Sequence, residues 1–148
     1  MRKSILYTLF GLGKVPTKVR PLLEDEGVVI MDEGMPGSLM MRKVKGPRRR
    51  YHYRVEGFAG SLVITQKRLL AFTFSKRQIN IAIDDPRLAD LHVDLPEPQK
   101  LTISFEASDF REDWSGIMEF RFKTDQAQQF HDKLIECGAS QGIARAET

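Results

Sequence analysis

The sequence predicts a small antiparallel β-barrel closed by a single C-terminal helix. Three observations carry this. Side chains alternate between apolar and polar from Val28 to Lys123, the period of strands with one buried face. Turn residues break that alternation at short intervals and no helical segment intervenes, a series that favours a barrel or sandwich. One amphipathic helical stretch then appears at the end, between Thr124 and Gly138.

The first 26 residues read as a helical extension. Ile5, Leu6, Leu9 and Phe10 lie at helical spacing, so residues 3–10 are expected to form a short amphipathic helix that Gly11 and Gly13 end. Pro21 suits the first position of a second short helix, with Gly27 just past its end. The barrel with its helix is expected over residues 27–138. Val28–Met31 is a short apolar run, and Gly34, Pro36 and Gly37 mark a turn. Leu39 and Met41 share one face of the next segment. A basic linker follows, and Tyr51, Tyr53 and Val55 resume the alternation.

Phe58–Phe74 is the strongest hairpin signal, with a polar turn at Thr65-Gln66-Lys67. Ile79, Ile81 and Ile83 form a half-buried strand ended by Asp84-Asp85-Pro86. Leu91, Val93 and Leu95 form another, which Pro96 and Pro98 end. Leu101, Ile103 and Phe105 precede a polar loop, and Met118, Phe120 and Phe122 follow it. The helix over about 124–138 is expected to start at Thr124 or Asp125, with Asp125 and Gln128 as a capping box. Its apolar face carries Ala127, Phe130, Leu134 and Cys137, and Gly138 stops it. The tail over 139–148 has few apolar residues and is expected to be loose.

The run G-S-L-V-I-T-Q-K-R-L-L-A-F, Gly60–Phe72, resembles the signature hairpin of GRAM and bacterial pleckstrin-homology-like domains, with Gly60, Thr65, Arg68 and Leu69 in the matching places. The isoleucine strand, the strand through Gly116–Phe122 and the helix opening T-D-Q-A-Q-Q-F agree with it. The resemblance spans roughly residues 27–138. It implies a seven-stranded, strongly bent antiparallel barrel capped by one α-helix. It also implies non-enzymatic recognition of lipid headgroups, peptides or partner domains. Each position also has a purely local reading: Gly60 as a bulge, Thr65 as a turn residue and Arg68 as a strand-edge charge.

The net charge of +3 on 148 residues hides two opposed halves. Residues 1–54 carry twelve Lys or Arg against five acids, and residues 55–148 carry eleven against fifteen. Seven of the basic residues lie in one acid-free tract: Arg42, Lys43, Lys45, Arg48, Arg49, Arg50 and Arg54. Guanidinium groups grip phosphate through a planar fork, so the tract is a candidate anion site. In pleckstrin-homology domains the first inter-strand loop holds basic residues that bind inositol phosphates, and this tract sits near that place. Its other reading is a solvated loop. Ile5, Leu6, Leu9 and Phe10 are the candidate foot on a membrane or a second subunit.

No catalytic, metal or cofactor site is expected. His52, His92 and His131 are scattered, Cys137 is the sole cysteine, and no nucleophile-elbow, P-loop or zinc-protease motif occurs. Asp109, Glu112, Asp113 and Trp114 read as a solvated acidic loop. The opening Met1-Arg2-Lys3 and its short apolar run lack a cleavage site, which speaks against a secretory signal. One cysteine suits a reducing compartment, so the cytoplasm is expected, with peripheral membrane attachment as the alternative. The leading function is recognition of another protein or of a second copy. Binding to an anionic membrane is the alternative, and nucleic acid is an unlikely partner.

Overall fold

A computed structural model describes residues 13–145 of the chain. The candidate foot at Ile5, Leu6, Leu9 and Phe10 lies outside them. A 3-10 turn at Thr17–Val19 leads into helix α1, Arg20–Glu26, where Pro21 stands in the first turn and Gly27 takes a φ of 80° at the C-terminus. Eight strands follow: β1 Val28–Gly46, β2 Arg49–Thr65, β3 Arg68–Thr73, β4 Lys76–Ala82, β5 His92–Glu97, β6 Lys100–Glu106, β7 Ser115–Lys123 and β8 Ser140–Gln141. Helix α2, Ala127–Cys137, lies between β7 and β8.

All eight strands form one sheet in the order β4-β3-β2-β1-β7-β6-β5-β8, curled into a half-barrel. Eight strands stand where the family resemblance implies seven, because Ser140 and Gln141 add a parallel pair to His92 and Val93. The closed ladder becomes an open one, since β4 and β8 are its ends. The concave face holds the main core, built from alternate residues such as Leu39, Met41, Leu62, Ile64, Ile103, Phe105, Phe120 and Phe122. Ala127, Phe130 and Leu134 of α2 complete this core against β5 and β6. Each large side chain so buried contributes about 1.5–3 kcal/mol.

A second core lies on the opposite face. Val15 and Leu23 pack on Val63, Leu70 and Phe72, with Val19 and Met31 at its edge. The segment leading into β1 therefore shares a core with β2 and β3. This explains why Leu62–Ile64 and Leu69–Phe72 are buried on both faces.

Three local expectations are corrected. The turn at Gly34, Pro36 and Gly37 is absent, and β1 runs straight through it. Gly34, at φ 67°, takes up a bulge between Asp32 and Met35. Gly37 provides clearance, since a Cβ there would stand 2.6 Å from the Phe58 ring and 2.3 Å from the Arg121 carbonyl oxygen. The capping box is replaced by Gln126 at the cap position, with no side-chain cap bond. Thr124 is committed elsewhere: its hydroxyl donates to Asp32 at 2.6 Å and accepts from the Gln126 N–H. The tail is tied down as far as Ala144, whose N–H donates to Ser104 Oγ at 2.8 Å and which is itself buried.

Candidate functional site: the basic hairpin tip

The β1–β2 hairpin is the longest element pair, and its far end carries the basic tract. Gly46 pairs with Arg49 across the two-residue turn Pro47-Arg48. Val44 and Tyr51 form the next pair but one and turn toward the concave core. Lys45 and Arg50, between them, turn to the other side and face each other directly. Two cations opposite one another on a sheet repel, so this pair weakens the hairpin it belongs to.

Two contacts fix the tip. Gly46 lies flat on the Trp114 ring, where a Cβ would approach to 2.8 Å. At Lys43 the strand bulges against β7, and Lys43 adopts a left-handed φ of 52°. Gly116 opposite, at φ 99°, has no room for a side chain, since a Cβ would sit 2.3 Å from the Lys43 carbonyl oxygen. The bulge turns Lys43 out of the alternation. Lys43, Lys45, Arg50 and His52, with Ser115 from β7, then line one open cleft of about 490 Å³.

The seven sequence candidates divide into two groups. Lys43, Lys45, Arg48, Arg49 and Arg50 form no ion pair among the described residues, and all five are exposed. Arg42 and Arg54 are withdrawn from this set. Arg42 stands 3.6 Å from the buried Glu119, which also holds Arg121 at 2.6 Å. Arg54 donates to Glu56 at 2.6 Å and lies 4.9 Å above the Tyr51 ring. The cleft also gains His52 and Ser115, which composition alone did not single out. The signal for Ser115 is the Trp114 beside it, which locks the β6–β7 loop onto Gly46.

The signature residues of the β2–β3 hairpin serve the fold. Glu26 at the end of α1 is buried, and Arg68 donates to it through Nε at 2.9 Å and Nη2 at 2.7 Å. Thr65 Oγ1 donates to the same carboxylate at 3.0 Å and accepts from the N–H groups of Lys67 and Arg68. The Arg68 bonds hold the Glu26 carboxyl below its ordinary range against the opposing effect of burial, and Thr65 adds to them.

Among the described residues no three acidic, His or Cys side chains gather as metal ligands, and no helix is long and apolar enough to cross a membrane. Burial pushes the Cys137 thiol above its ordinary value, away from a reactive thiolate. No protein-family model matches the chain, and no curated protein matches it.

Proposed function

We propose that this chain is a non-enzymatic binding module that engages a phosphate-bearing anionic membrane surface with the tip of its first hairpin. The observation that carries this is the set of five exposed cations at one end of the hairpin that form no ion pair among the described residues, with Lys45 facing Arg50. Nothing in the fold benefits from that repulsion, and an anion relieves it. Each Lys or Arg near an anionic leaflet contributes about 1 kcal/mol, so the five support reversible peripheral binding. The cleft also lies in the range of about 300–1,000 Å³ that suits a small ligand such as a phosphorylated headgroup. The same reading makes the fold pleckstrin-homology-like or GRAM-like, with β1–β7 and α2 as its body and β8 as an addition. It places the chain on the cytoplasmic side of a membrane.

Flotation with vesicles containing phosphatidylserine or a phosphoinositide tests the proposal. The wild-type chain is expected to float with them at low salt and be released at high salt. Changing Arg48, Arg49 and Arg50 together to Ser is expected to abolish flotation. A wild-type chain that stays behind at low salt would rule the membrane reading out.

A second reading has its own observation. Tyr53 and Val55, 59% and 48% exposed, stand side by side on the face away from the main core, paired with Arg42 and Met40. An exposed aromatic next to an aliphatic residue suits a protein interface. Concentration-dependent sedimentation that Tyr53→Ser suppresses would favour a second copy as the partner.

A further inference from the structure

We propose that the seam between β4 and the β6–β7 loop is a separate anion site, sized for one phosphate group and centred on Arg111. Because β4 ends the ladder, the sheet leaves a gap beside it. Phe110 and Arg111 line the gap from the loop, Arg87 from the β4–β5 connection, and Gln78 and Asn80 from β4 itself, with four apolar side chains making up the rest of the wall. They leave a pocket of about 80 Å³. A cavity needs about 10–15 Å³ of such space to hold one water, so this one has room for several waters or one tetrahedral oxyanion.

The Arg111 guanidinium is held in place before any ligand arrives. Its Nη2 donates to the Gln78 carbonyl at 3.1 Å and to Gln78 Oε1 at 2.8 Å, and the group stands 5.8 Å above the Trp114 ring. All these partners are neutral, and no carboxylate pairs with Arg111 among the described residues. Burial accordingly lowers its pKa with no counter-charge to offset it. Arg111 is half-buried, and a partly desolvated cation without a counter-ion opposes folding, which an anion in the adjoining pocket reduces. Arg87 lies over Phe110 at 5.6 Å and gives Nε and Nη2 to Asp85, which leaves Nη1 uncommitted. A planar carboxylate is satisfied by one fork. Two guanidinium groups from different elements suit the several directions of a phosphate's oxygens better. None of these residues lines the hairpin cleft, so the site stands apart from the function proposed above.

The test is an amide-resolved NMR titration of the full chain with inorganic phosphate, a phosphate monoester and acetate. Both phosphates are expected to give saturable shifts at Gln78, Ile79, Phe110 and Arg111. Saturation by inorganic phosphate alone assigns the site to the free ion, and tighter binding of the ester assigns it to a phosphorylated ligand. Arg87→Ala is expected to weaken binding about tenfold, the loss of one charge-assisted contact, and Arg111→Met to abolish it. If Arg111→Met does not fold, the Arg87→Ala titration decides. Three outcomes overturn the proposal: no saturable shift at these amides, equal binding of acetate and phosphate, or full retention of binding in Arg87→Ala.

Discussion

At its root, where Val28 meets Thr65, the β1–β2 hairpin lies beside a cation with its counter-charge in place: Arg68 grips the buried Glu26, and Thr65 donates to the same carboxylate. At its tip Lys45 faces Arg50, and no acid answers Lys43, Lys45, Arg48, Arg49 or Arg50 among the described residues. Both ends carry basic side chains, yet they do different work. The root uses charge to fasten α1 and the second core to the sheet. The tip leaves charge facing solvent at some cost to the hairpin. A basic residue is thus a candidate for binding when the fold gives it no partner, whatever its neighbours in sequence are.

The largest effect is expected from a residue that lies at neither end and holds the main core together. Phe130 is fully buried in the main core against β5 and β6. Phe130→Ala is expected to cost about 3–5 kcal/mol in urea unfolding, through lost burial and the cavity left behind. Vesicle binding by the folded fraction should be unchanged. A loss much smaller than this would show that α2 does not complete the core.

Next comes the root itself. Glu26→Gln is expected to cost about 2–3 kcal/mol, because it removes charge-assisted bonds from a buried group. The effect should depend on pH with a definite sign. The folded carboxyl titrates below its ordinary 4.5. Its contribution is therefore complete above that value and is lost as pH falls through the lower folded pKa. The stability gap between wild type and Glu26→Gln should be widest near neutrality and close in acid. A gap that stays constant from neutral to acid pH would mean that the Arg68 pair does not stabilise the root.

How much of this was legible in the sequence follows from where the information sits. Period-two alternation located Ile79 and Ile81, Leu101 through Phe105, and Met118 through Phe122, because one buried face fixes such strands locally. The same logic failed at Gly34, Pro36 and Gly37. Those residues mark a turn in isolation, but here they serve a bulge and the clearance for Phe58. The second core was invisible because Val15 and Leu23 meet Val63 and Phe72 only after folding. The basic tract was plain, but its division was not: the partners that withdraw Arg42 and Arg54 are Glu119, on a distant strand, and Glu56, whose approach depends on strand geometry.

Gly116→Ala probes the base of the tip. At φ 99° and 2.3 Å from the Lys43 carbonyl, the added methyl forces the bulge to shift. A loss of about 1–3 kcal/mol is expected from backbone strain. Lys43 should move away from the cleft at the same time, weakening vesicle binding in the folded protein. Unchanged binding would show that Lys43 is not part of the site.

The smallest expected change in stability tests the comparison most sharply. Changing Arg48, Arg49 and Arg50 to Ser removes three exposed cations whose side chains form no ion pair among the described residues. Surface changes of this kind usually fall within about 0.5 kcal/mol. Here the sign should be stabilising, since Arg50 no longer repels Lys45 across the hairpin. Binding to anionic vesicles should fall roughly a hundredfold, at about 1 kcal/mol for each lost cation. A clear destabilisation would instead mean that these arginines hold the hairpin together, and the tip would then be a structural element like the root.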